Sequence, residues 1–121
     1  MSNLAGELVM RCFHARTTAH VLHLKALSYA QHVALSEFYD GIIPLADSFA
    51  EKYQGQYGLI EAFPPRYAPE PSGVTLMENL ADWISENRYK VCDKTETYLQ
   101  NIIDEIVALV YETKYKLTFL K

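Results

Sequence analysis

Four of the five prolines in this chain, Pro64, Pro65, Pro69 and Pro71, fall inside one stretch, "GQYGLIEAFPPRYAPEPSG", residues 55–73. A proline has no backbone N–H to give to a helix, and its ring collides with the carbonyl four residues back, so this stretch cannot be helical. It splits the chain into two flanks, and both flanks carry helical periodicity. Before it, Leu4, Leu8, Cys12, Ala15, Ala19, Leu22 and Ala26 step by three or four residues. So do Leu35, Phe38, Ile42, Leu45, Phe49 and Tyr53. After it, Met77, Leu80, Ile84 and Val91 make a third apolar stripe, and Leu99, Ile103, Ile106, Val110 and Leu117 a fourth.

Caps place the breaks. Ser28 with Gln31, Thr75 with Glu78 and Asp93 with Glu96 each have the spacing at which two side chains satisfy the free backbone donors of a new helix. The expectation is an all-α four-helix bundle, a single domain over residues 1–121, built as two helical hairpins joined by the long Pro-rich connection. Gly41 and Pro44, inside the second stripe, predict a kink there.

Half of the residues are hydrophobic and 21% are charged, which excludes general disorder. A net charge of −4 without any Lys/Arg run offers nothing to nucleic acid or to an anionic membrane. No apolar run approaches the roughly 18 residues of a membrane span, and "MSNLAGELVMRCFHAR" lacks the charged and apolar regions of a secretory signal. Cys12 and Cys92, far apart and without a metal-binding spacing, read as reduced core thiols of a cytoplasmic protein.

The segment "HVLHLKALSYAQHVALSEFYDGIIPLADSFAEK", residues 20–52, carries the candidate chemistry. On a helix starting at Ser28, His32, Ser36, Tyr39, Ile43, Asp47 and Glu51 lie beside the core stripe, with the two carboxylates one turn apart. His32 and Asp47 are nevertheless separated by about 22 Å of helical rise. His20, on the preceding helix, folds back to the level of His32 rather than Asp47. One chain therefore offers two imidazoles at one height and two carboxylates at another. Only a second copy, antiparallel about a two-fold near Tyr39 and Asp40, would bring His20 and His32 to the partner's Asp47 and Glu51. Such a homodimeric site suits Fe(II), and Zn(II) or Mn(II) equally by ligand type. Taken singly, each residue has a plainer reading as a packed histidine or a solvated carboxylate. His23 in particular reads as a packing or surface residue.

The spacing of His20, His32, Asp47 and Glu51, ending in "DSFAEK", resembles the signature of the Dps branch of the ferritin superfamily. That resemblance implies a ferritin-like bundle with an iron-oxidising, ferroxidase-type site shared across a dimer. The short chain also looks like the compact ferritin-like proteins of some bacteriophages, which would place it in a host cytoplasm. Ser36 stands where that branch has an aspartate, and Val21 where it has an aromatic residue. A Glu-x-x-His pair, the mark of a di-iron centre inside one bundle, is absent from the sequence. The alternative is a bundle without catalysis that acts as a structural or regulatory interaction protein.

Overall fold

The computed structural model describes residues 4–65 and 70–121; Pro69 of the connection lies outside the described residues. These residues form four helices and no strand: α1 (Leu4–Lys25), α2 (Tyr29–Tyr57), α3 (Gly73–Val91) and α4 (Thr97–Phe119). The break between α1 and α2 comes where the sequence places it. Ser28 is the N-cap of α2, and its hydroxyl accepts the Gln31 amide at 3.1 Å. Gly58 closes α2 with a positive φ of 89°, a conformation that costs glycine nothing, and its N–H reaches the Gln54 carbonyl.

Two caps differ from the sequence reading. α3 begins at Ser72, not Thr75: the Ser72 hydroxyl accepts the Thr75 amide, and the Thr75 hydroxyl accepts from Ser72. Serine three residues upstream starts the helix one turn sooner, so the amides that a cap at Thr75 would serve already lie inside it. Asp93 likewise does not start α4. Its carboxylate takes both the amide and the hydroxyl of Thr95, while Glu96 reaches back to the Asp93 amide. The reciprocal bonds of a capping box thus close a separate turn, and α4 follows at Thr97 without a side-chain cap. Those two bonds from Thr95 hold the Asp93 carboxyl below its usual pKa.

Pro44 sits within α2, which runs through it as one helical element. Its ring is on the exposed side, and so is Asp40, whose carbonyl loses its intrahelical donor there. Water can replace that donor, so the proline is tolerated.

The order of the helices follows from their contacts. α1 packs on α2 and α3, and α4 packs on α2 and α3, so α1 and α4 lie diagonally across the bundle. Ala62, just after α2, rests against Gly6 at the start of α1, whereas Gly73 at the start of α3 meets Leu35 of α2 and Leu117 of α4. The described ends of the connection therefore lie at opposite ends of the bundle. As a result α2 and α3 run in one direction, α1 and α4 in the other, and all neighbours are antiparallel. Phe38, Ile42, Phe49, Met77, Ile84, Leu99, Ile103 and Ile106 fill the core between them.

The end that contains the α3–α4 turn is latched by polar groups. Buried Gln100 donates through its side-chain amide to the carbonyls of Arg88 and Cys92, at 3.2 and 3.0 Å, and to the Cys92 sulfur. Its side-chain oxygen accepts from the Arg88 guanidinium, which also holds Asp104 at 2.6 Å. Tyr57 and Tyr98 both donate to the Glu96 carboxylate, tying the end of α2 to the same turn.

Gly6 is the position where this fold leaves no freedom. A Cβ there would stand 1.8 Å from the Ala62 carbonyl oxygen, a backbone atom that cannot step aside cheaply. Gly6→Ala is expected to lower stability by about 1–3 kcal/mol, overriding the helical gain of alanine. Gly55→Ala, with nothing within 4 Å of the new carbon, is expected to be neutral or to raise stability by up to about 1 kcal/mol. Chemical denaturation of the two variants beside the parent chain measures the contrast.

Candidate functional site

Three of the four histidines, His20, His23 and His32, gather at the α1–α2 corner. His23 and His32 stand four residues either side of the Leu27–Ser28 bond, so an antiparallel hairpin sets them level. The rings stack with centroids 3.6 Å apart, inclined by 20°. Each then bonds across to the other's backbone: His23 Nδ1 lies 2.6 Å from the His32 carbonyl oxygen, and His32 Nδ1 lies 2.9 Å from the His23 carbonyl oxygen. A carbonyl only accepts, so both Nδ1 atoms carry the hydrogen. The His23 carbonyl belongs to the last turn of α1, where carbonyls lack intrahelical donors, and it also takes the Ala26 amide at 3.3 Å. The pair is a reciprocal clamp that finishes α1 and fastens α2 to it.

His20 extends the cluster. It lies flat on Tyr39 at 4.2 Å and edge-on to His23 at 5.9 Å, while the Arg16 guanidinium stands 5.9 Å from the Tyr39 ring. The residue level with His32 is His23, while His20 lies beside Tyr39, further along α2. Asp47 and Glu51 lie further along α2 and are exposed. Asp47 borders a shallow depression shared with Phe13, Arg16, Thr17 and Ile43. The Arg16 cation beside it opposes a second cation.

Among the described residues no three His, Cys, Asp or Glu side chains are grouped so that they could hold a metal ion. The four expected ligands are therefore not assembled within one chain. Sequence reasoning missed the central part played by His23, and the signal was available: its distance from the turn equals that of His32, and Arg16 and Tyr39 form a second such level pair.

The same corner opens onto an apolar cleft of about 430 Å³. Leu22 and Leu27 border it from the α1 side, Leu35 from α2, Pro71 and Val74 from the start of α3, and Leu117 from α4. Leu27, which lines it, is fully exposed, and at the same end of the bundle Tyr29 is 82% exposed, Leu24 73% and Phe119 68%. Scattered single hydrophobics are ordinary on a surface, but several of them at the end that also holds an apolar cleft point to a contact site. The sequence reading followed the inward stripes and did not treat Leu24, Leu27 and Tyr29 as a surface.

The two thiols are shut away from chemistry. Burial pushes the Cys12 thiol up to about 12. Cys92 is raised to about 11, by burial first and by the Glu96 carboxylate next. Both are unpaired and buried, as their spacing predicts.

Residues 23–117 match a family described as a family of unknown function (DUF5856). The chain is also similar to the "Uncharacterized 14.6 kDa protein in mobD-ri intergenic region" of Enterobacteria phage T4. The two are 26% identical over 114 residues, covering 94% of this chain and 88% of the relative. No solved structure matches the chain. These findings correct the resemblance to the Dps branch of the ferritin superfamily. The family match falls elsewhere and spans His32, Asp47 and Glu51, the residues on which most of that resemblance rested. Helical turns repeat every three to four residues, so such spacings arise in any long amphipathic hairpin.

Two outcomes follow from this geometry. His23→Ala and His32→Ala should each cost about 1 kcal/mol of stability, and the double variant should cost less than the two together, because each change removes its own hydrogen bond to a backbone carbonyl but both remove the same ring stack. A double-mutant cycle by thermal unfolding reads the coupling. Cys12 should resist alkylation in the folded chain at pH 8.5 and react on unfolding. Because its folded pKa is raised, the stability it contributes is complete below the ordinary thiol value near 9 and is lost as pH climbs towards 12.

Proposed function

The chain belongs to the DUF5856 family, and we propose that it is a non-catalytic interaction protein whose exposed apolar end receives a segment of another protein. The observation that carries this reading is the cleft between the helix ends, lined by Leu22, Leu27, Leu35, Val74 and Leu117, with Leu27 itself fully exposed and Leu24, Tyr29 and Phe119 exposed at the same end of the bundle. A bundle whose core is already complete gains nothing by holding these groups in water; they acquire a purpose when another surface covers them. The phage relative suggests a host cytoplasm as the setting. No helix among the described residues is long and apolar enough to cross a membrane.

A photoreactive side chain at position 27 tests the reading in the producing cell. It is expected to crosslink a discrete protein partner, while the same group at position 47, on the polar face of α2, does not. Phe119→Glu should abolish the product from position 27 and leave the fold unchanged, because Phe119 is largely exposed. Equal crosslinking from both positions, or indifference to Phe119→Glu, would remove the docking end.

A second reading keeps metal binding, with the ion held between two copies by His20 and His32 of one and Asp47 and Glu51 of the other. It is favoured by the fixed His32 ring, whose Nδ1 hydrogen is committed to a carbonyl, the arrangement that orients a ligating imidazole through its other nitrogen. Fe(II), Zn(II) and Mn(II) all suit that set of donors. Under this reading calorimetry with Zn(II), or with Fe(II) without oxygen, gives saturable binding that His32→Ala and Glu51→Gln both abolish, and light scattering gives a dimer. Indistinguishable isotherms for all three proteins would leave the interaction reading alone.

A further inference from the structure

The charge at the cleft specifies its occupant more closely. Among its described lining residues Lys25 is the one that bears a charge, and no described ion pair engages it. The chain as a whole has 15 acidic and 11 basic residues, so the cleft lining departs in sign from the molecule's balance. Helix dipoles do not disturb that count. α2 and α3 begin at the cleft and α1 and α4 end at it, so two positive ends are offset by two negative ones.

We infer that the cleft receives an acidic amphipathic peptide segment of a partner protein, its apolar side chains seated between Leu22, Leu35, Val74 and Leu117 and a carboxylate set against Lys25. The inference rests on the docking reading above and deepens it. Apolar contact with the cleft supplies the attraction, and charge supplies the discrimination: the same segment meets Asp40, Asp47 and Glu51 along α2, where carboxylates repel it. A basic segment meets the opposite arrangement and is steered away from the cleft.

Two labelled synthetic peptides with identical leucine and phenylalanine spacing, one flanked by glutamates and the other by lysines, provide the probes. Fluorescence anisotropy at low salt is read with the wild type, Lys25→Glu, Leu27→Glu and Lys52→Glu. Lys52 lies on the exposed side of α2 towards the opposite end, so its variant makes the same charge change elsewhere. The glutamate peptide is expected to bind the wild type more tightly than the lysine peptide. Lys25→Glu should weaken the glutamate peptide by roughly fivefold or more and strengthen the lysine peptide. Leu27→Glu should weaken both, and Lys52→Glu should leave the order unchanged.

Equal affinities for the two peptides, lost together in Leu27→Glu, would overturn the acidic preference and keep the docking end. So would the failure of both peptides to bind while position 27 still crosslinks one protein. Absence of both peptide binding and crosslinking removes both readings. Self-association that Leu27→Glu abolishes would assign the cleft to a second copy of the chain and overturn the inference.

Discussion

The chain leaves α2 at one end of the bundle and enters α3 at the other, and this reversal determines what each end can be. Had α3 started beside the end of α2, the second hairpin would be inverted, and Ser72 and Val74 could not share a cleft with Leu22 and Leu35. The reversal is anchored where Ala62 settles onto Gly6, a contact so close that any side chain at residue 6 collides with backbone. From it follows an uneven molecule. One end carries the Gln100 and Glu96 hydrogen bonds; the other carries exposed leucines and aromatics around an opening.

Much of this was legible in the sequence because helical structure is governed by local rules. The four apolar stripes lie in the core from Leu8 to Leu117, and Ser28 caps α2 with the bond to Gln31. The misplaced caps have a common cause. Thr75 and Asp93 satisfy the same spacing rule as true caps, but a competing group nearby, Ser72 in one case and the Thr95 turn in the other, takes the backbone donors first. Spacing identifies candidates for a hydrogen bond; geometry chooses among them.

The candidate site was less legible, for a different reason. His20 and His32 were read as possible ligands and His23 as a packing or surface residue, yet His23 and His32 each spend one ring nitrogen on the other's carbonyl, and His20 lies against Tyr39. An imidazole can cap a helix, stack on an aromatic ring or hold a metal, and its one-letter symbol is the same in each case. The apolar end escaped notice because no single stripe makes it: Leu22, Leu35 and Leu117 come from the ends of three different stripes. Leu27 sits in the turn, Val74 opens one helix and Leu117 closes another, so their proximity exists only after the bundle has assembled.

The Gln100 network bears on how such a chain can change length over generations. Its amide bonds to Arg88 and Cys92 from across the α3–α4 turn, and Asp93, Thr95 and Glu96 are bonded to one another within it. One residue added or removed between Cys92 and Thr97 would rotate α4 by about 100° and aim Gln100 away from every acceptor. The turn is therefore a fixed ruler. Within the connection, by contrast, the stretch around Leu59 and Glu61 is exposed, and such segments absorb insertions at small cost. Relatives of different length should differ there and keep the 92–97 turn residue for residue.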